Sequence, residues 1–254
     1  RLEKNIQESK ITLQEENKTN ESDDFTKQKK IFVDVVIDCF RNKQFSWDDL
    51  ENESNVILAS SFESSASTLT NTLTLLAMFP QQQERLFEEL KIEFPDKNSE
   101  MLPERVHQLP YLDMVINEGM RLLAPIPLVG RTAGADFDLG TGVTIPKGTQ
   151  VLLDIFNMQR DPEVWGSDAQ MFNPEHFSPE YLQTRHPFAY LPFAKGIRSC
   201  VGSKYAMAGM KMICTKLIRN YKISTDFKFQ DLEFREDIGL KFVEVPKLRF
   251  EKRE

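Results

Sequence analysis

The pattern of apolar and polar positions changes character twice along this chain. From Arg1 to about Lys30 it is polar and mixed in charge, and the run EENKTNESDD at 15–24 is nearly free of apolar side chains, the composition of a solvated helix end and linker. From residue 47 the apolar positions become dense, and WDDLENESNVILASSFESSASTLTNTLTLLAMFP predicts one long, mostly buried helix, capped by Asp48 or Asp49 and ended by Pro80. The Ser and Thr residues between Ser60 and Thr74 lower helix propensity, and their hydroxyls are expected to bond back to nearby carbonyls. QQQERLFEELKIEF predicts a second helix, and YLDMVINEGMRLL at 111–123 a third, stopped by Pro125 and Pro127.

After residue 125 the period shortens. PLVGRTAGADFDLGTGVTIPKGTQVLLDIF holds three short β-branched runs separated by Gly and Pro turns, which predicts a small antiparallel sheet. Loops rich in Pro, Asp and Asn follow from Gln159 to Lys195. A helix resumes at Ser203, with Ala206, Met210, Ile213 and Leu217 at helical spacing, and the tail ends in strand-like pieces such as GLKFVEV. The fold class expected is mainly α with a small antiparallel β-sheet, in one large domain or two small ones.

Composition narrows the function. A net charge of -7 speaks against a nucleic-acid partner, whose binders carry basic patches. Cys39, Cys200 and Cys214 have no CxxC spacing, so neither a disulfide framework nor a thiolate zinc site is indicated. No stretch reaches the roughly 18 consecutive apolar residues of a membrane-spanning helix, and RLEKNIQESK is unlike a signal peptide.

The stretch that carries chemistry is FAKGIRSCVG at 193–202. A cysteine can be buried packing, a nucleophile or a metal ligand; packing accounts for Cys214 and Cys39. Around Cys200, Gly196 and Gly202 let the backbone turn and approach a flat ligand, while Arg198 and the helix start that follows both favour a thiolate. His107, His176 and His186 could serve a nucleophilic cysteine as base, yet no nucleophile signature surrounds Cys200.

FAKGIRSCVG closely resembles the haem-binding loop of the cytochrome P-450 family. The resemblance implies haem b with Cys200 as thiolate ligand of the iron, Arg198 as a propionate partner, Phe193 as a cover over the sulfur, and Gly196 as part of the cofactor-binding loop. Companion segments follow the family's order. EGMR at 118–121 is similar to its ExxR motif, with Glu118 and Arg121 on one helix face. NPEHF at 173–177 is similar to its PERF-like segment with His176 where an arginine is usual, a departure expected to weaken the three-way lock. PIPLVGR places Arg131 at the second propionate position, with Ile126, Leu128 and Val129, together with Phe62, lining the substrate pocket. QRDPEVWG resembles the HRDP-W segment, with Gln159 replacing the histidine.

Counting back from Pro80 sets SSFESS on the family's oxygen-activating motif, with Glu63 as the acid and Ser64 in the threonine place. These would deliver protons so that one oxygen of dioxygen leaves as water. Ser61 replaces the usual glycine. Some relatives carry a glutamate bonded covalently to haem; Ser60 stands there, and no such link is expected. A rival register gives these roles to Ser67 and Thr68.

The resemblance runs from about residue 47 to the end and implies a division at 1–46, a polar segment and leading helices, and 47–254, the C-terminal haem-binding half of the cytochrome P-450 fold. It implies a monooxygenase that inserts one oxygen atom into a lipophilic substrate with electrons from NADPH through a flavin reductase, on the cytosolic face of the endoplasmic reticulum membrane. The membrane anchor would belong to a missing N-terminal region. Lys195, Lys204 and Lys211 are expected to face the reductase. The alternatives are a haem-thiolate isomerase, against which retention of Glu63 and Ser64 argues, and a truncated, inactive fragment.

Overall fold

The computed structural model describes residues 30–96 and 99–253; the polar segment expected over Arg1 to Lys30 lies almost wholly outside them. The chain divides into two compact units, 1–56 and 57–254.

In the first unit, α1 spans Phe32–Arg41, and Asp34 accepts the Ile31 N–H at 3.0 Å, satisfying one orphan donor of its first turn. The long helix α2, Trp47–Met78, begins here. Its cap is Ser46 and not either aspartate. The Asp49 N–H donates to Ser46 Oγ at 3.2 Å while the Ser46 N–H donates to Asp49 Oδ2 at 2.9 Å. This reciprocal pair is a capping box, in which Asp49 is the third helical residue. Phe40 and Trp47 meet edge to face at 5.8 Å.

In the second unit α2 runs on to Met78, and Phe79 breaks it by leaving the helical region, φ -119° and ψ 75°, as a residue before proline is disposed to do. Contrary to expectation, α2 is not mostly buried. Leu58 and Phe62 are exposed, and continuous burial starts only at Asn71, where the helix meets α5, Pro110–Leu122. There Asn71 donates to the Leu123 carbonyl at 3.1 Å, and a Cβ placed on Gly119 would come within 2.5 Å of Thr72 Oγ1. Glycine is thus what lets the two helices approach. The hydroxyls along α2 bond back as expected: Ser61 to Leu58, Ser64 to Ser60, Thr68 to Ser64 and Thr72 to Thr68.

Helices α3 (Pro80–Glu93) and α4 (Pro103–Val106) pack with α5 around a core of Leu75, Leu76, Leu86, Leu90, Leu112 and Ile116. The half-buried Glu89 carboxylate accepts the Tyr111 and Leu112 N–H groups at 2.7 and 2.9 Å, so a side chain of α3 caps α5. Burial holds the Glu89 proton more tightly than usual, against the pull of those two backbone donors.

The expected single sheet is two separate ladders. Strand β1 (Leu128–Thr132) pairs antiparallel with β4 (Gln150–Asp154), and the short β2 (Phe137–Asp138) pairs with β3 (Thr144–Ile145). Single-turn helices α6 (Ile155–Met158) and α7 (Pro162–Trp165), a 3-10 turn at Pro174–Phe177 and α8 (Pro179–Thr184) lead to the cysteine loop.

Helix α9 (Ser203–Asn220) buries Met210, Cys214 and Ile218, a strict four-residue stripe. The expected Ile213 is 46% exposed, because it lies one position off that stripe. Strands β5 (Tyr221–Ser224) and β8 (Arg249–Lys252) pair, as do β6 (Phe234–Asp237) and β7 (Gly239–Phe242). Gln83 ties β5 to the α2–α3 corner: its Nε2 donates to the Leu76 and Ile223 carbonyls and its Oε1 accepts the Ile223 N–H.

Candidate functional site

The cysteine loop runs between Leu191 and the start of α9. Its shape needs two residues of positive φ, Ala194 at 55° and Gly196 at 83°; glycine takes that conformation freely, whereas alanine is held there at a cost. The turn closes with Ser199 N–H donating to Gly196 O at 3.0 Å and Cys200 N–H donating to Phe193 O at 2.9 Å. Cys200 ends on the surface, while Phe193 is half-buried against the main core. Cys214 is the opposite case: fully buried, with its thiol pushed up to about 12 by burial alone. Of these two thiols, only Cys200 is open to a ligand.

Arg198 and Arg131, from β1, line one depression of about 550 Å³ with Gly130, Thr132, Gln150, Val151 and Leu152. Two guanidiniums beside a strand pair of mixed polarity suit a flat ligand that carries carboxylates on one edge. Exposed Ile197 and Val201 flank Arg198 and Cys200 in the loop. The donor set therefore fits haem: one accessible sulfur, apolar neighbours and two anion-binding side chains. Leu128 and Val129 of β1 are half-buried, and Ile126, just before it, is exposed.

Behind the loop is a buried polar lock. Arg121 and Glu118 are both fully buried and meet through two contacts of 2.7 Å. The remaining Arg121 donors reach the carbonyls of Gln159, Ala169 and Met171 at 2.8, 2.7 and 3.1 Å, so all five N–H groups are used. His176 replaces nothing by absence. Its Nδ1 lies 3.1 Å from Glu118 Oε1, and its Nε2 lies 3.1 Å from Asp168 Oδ1. The third contact of the lock is present with histidine, because imidazole reaches Glu118 from the turn that begins at Pro174.

Sequence reasoning missed how this lock is wired to the cysteine loop. Gln159, fully buried, donates to the Met120 and Arg121 carbonyls at 3.3 Å and accepts the Leu191 N–H at 3.0 Å. Tyr190 donates to the Asn117 carbonyl at 3.0 Å and packs on Phe177 and Trp165. Two residues at the loop's entrance are thus pinned to α5. Burial beside Glu118 raises the Tyr190 phenol well above its ordinary range, so it stays a donor. Asp168, exposed on one side, also accepts Asn173 Nδ2 at 2.8 Å.

Glu63 and Ser64 belong to a second group. Ser64 Oγ donates to the Ser60 carbonyl at 3.1 Å. Glu63 Oε1 and Asp237 Oδ2 both lie 3.2 Å from Lys241 Nζ on β7, and these two carboxylates, Glu63 first, raise the lysine's proton affinity. The Leu240 N–H donates to Pro125 O at 3.0 Å, which brings the same hairpin beside Ile126. Phe62 is exposed on α2. Among the three lysines expected on one docking face, Lys211 is excluded: it is buried, pairs with Asp113 at 2.6 Å and donates to the His107 carbonyl.

A family model described as "Cytochrome P450" matches residues 2–247. The chain is 44% identical over 226 residues to "Probable cytochrome P450 313a4" of Drosophila melanogaster, covering 89% of this chain and 46% of that protein. It is 42% identical over 231 residues to "Probable cytochrome P450 313b1" of the same organism, with the same coverage of both chains. Among solved structures it is similar to the cytochrome P450DA heme domain, with a TM-score of 0.75 and 25% identity over 83% of this chain and 45% of that one. It also matches the fold of a cytochrome P450 named CYP102L1, with a TM-score of 0.80 and 24% identity over 90% of this chain and 51% of that one. The chain spans about half the length of the curated relatives it matches.

Proposed function

This chain belongs to the cytochrome P450 family, and from that premise we propose that it is the haem-binding half of a monooxygenase acting on a lipophilic substrate. The observation that carries the reading is the exposed Cys200 thiol on a loop whose Arg198 shares a depression with Arg131. Cys200 would ligate the iron and Arg198 and Arg131 would pair with the propionates, while Gly196 and Phe193 keep the loop in shape. When bound, haem supplies the oxygen and one-electron chemistry. The residues of this chain do the rest. The lock of Glu118, Arg121 and His176 holds the loop's entrance through Gln159. Glu63 and Ser64 would pass protons toward the oxygen that leaves as water, and Phe62, Ile126, Leu128 and Val129 would contact the substrate.

In this reading NADPH supplies the electrons through a flavin reductase, with Lys195 and Lys204 as candidate contacts, and the enzyme works at the endoplasmic reticulum membrane. Among the described residues no helix is long and apolar enough to cross a membrane, so that attachment would come from elsewhere in the protein.

The test is spectral. Reconstituted with haem, reduced and exposed to carbon monoxide, the protein is expected to give the red-shifted band of a thiolate ligand. Cys200→Ser should lose the band and Cys214→Ser should keep it. A band that survives Cys200→Ser would sink the assignment.

A further inference from the structure

The histidine in the lock has an acceptor at both ends. Glu118 Oε1 faces Nδ1 and Asp168 Oδ1 faces Nε2, each at 3.1 Å, and a carboxylate has no hydrogen to donate. A neutral imidazole carries one N–H, so it would leave one of these contacts as lone pair against lone pair. We propose that Asp168 is a positioning residue, which together with Glu118 holds His176 as an imidazolium and thereby supplies the lock with its second cation.

The surroundings agree. Glu118 is already a full acceptor, taking Arg121 Nε and Nη2 and the Asn173 N–H besides the imidazole. The Asp168 carboxyl is held below its usual range, first by the Asn173 amide and then by His176, against the opposing effect of burial, so it meets the ring ionised. Two carboxylates touch the ring, and the imidazole bridges them while Arg121 is bound to Glu118. The other charged groups packed around His176 are already engaged. Arg185 donates to the His176 carbonyl at 2.6 Å and stacks on Trp165 at 3.8 Å, and Glu175 is paired with Arg85 of α3. Trp165 meets the ring at close to a right angle, with centroids 5.8 Å apart.

Asp168 then acts at a distance. It fixes the ring, the ring fixes Glu118, Glu118 orients Arg121, and Arg121 with Gln159 holds the chain where it enters the cysteine loop at Leu191. This inference stands on the geometry of the lock and does not depend on Cys200 binding haem.

The chain has three histidines, so nitrogen-15 labelling of histidine gives three imidazoles, and His176→Gln identifies the one concerned. At pH 7 both ring nitrogens of His176 are expected to carry a hydrogen. A single N–H there, with the other nitrogen bare, overturns the proposal. Asp168→Asn is expected to remove the proton from Nε2 and leave Nδ1–H donating to Glu118; a ring still doubly protonated in that variant removes Asp168 from the role. Denaturation of the full chain provides a second arm. Asp168→Asn should lower the folded-to-unfolded ratio about tenfold in the parent, the usual scale for a hydrogen bond to a charged group, but less than about twofold in the His176→Gln background. An equal loss in both backgrounds would mean that Asp168 acts only through Asn173, and would refute the coupling.

Discussion

Cys200 and Cys214 carry the same thiol in opposite surroundings, and the difference is measurable. Burial keeps the proton on Cys214 up to about 12, against an ordinary 9.0. In that window the unfolded thiol ionises and the folded one does not, so unfolding releases a proton. The contribution is intact below about pH 9 and falls by up to about 1.4 kcal/mol per unit as pH rises toward 12. Tyr111, pushed up to about 12 from 10.0 mainly by burial, adds to the decline above pH 10. Cys214→Ala is expected to flatten the urea midpoint between pH 8 and 10 relative to the parent; identical slopes would refute the assignment. In the folded chain a maleimide should label Cys200 quickly and Cys214 only after denaturant is added, which peptide mass spectrometry would read. At this scale the sequence was informative where chemistry is local. The glycines and arginine around Cys200 could be read directly, whereas Asp168 has no signal of its own, because its role exists only once His176 is folded against it.

Helix α2 separates what local pattern can specify from what it cannot. Its limits were legible: a polar start near residue 47 and a proline at 80 are backbone constraints that act within a turn. Which part would be buried was not, since Ser60 to Thr74 has similar composition throughout while only its end meets α5. The pairing of the strands after residue 125 was hidden for the same reason. The contact of α2 with α5 makes a sharp test. Gly119→Ala should gain up to about 1 kcal/mol of helix propensity and lose about 1–3 kcal/mol through overlap with Thr72 Oγ1, a net destabilisation. In the background of Thr72→Ala, which removes that oxygen, Gly119→Ala should become nearly neutral. Thermal unfolding of the four proteins measures the coupling; additive effects would show that the helices part to admit the methyl.

Taken as one molecule, the chain leaves a good deal of apolar surface open. Leu58 and Phe62 on α2, Leu152 on β4, and Ile197 and Val201 in the cysteine loop are each more than 60% exposed, more than a soluble chain usually shows to water. The isolated chain is therefore expected to bind a hydrophobic dye and to associate as its concentration rises, and Leu58→Ser with Phe62→Ser should reduce both. Sedimentation velocity of the two proteins decides it, with equal association counting against these residues. The order of motifs along the chain was legible because each spans few residues. The lock's wiring was not, since the partners of Arg121 outside its own helix lie 38, 48 and 50 residues downstream. That separation has a consequence for synthesis. At the ordinary pace of about 5–20 residues per second, the guanidinium leaves the ribosome roughly 3–10 s before its last carbonyl has been made. Until then α5 holds a paired but unfinished charge at its centre, and the nascent chain has reason to delay closing its core until Met171 arrives.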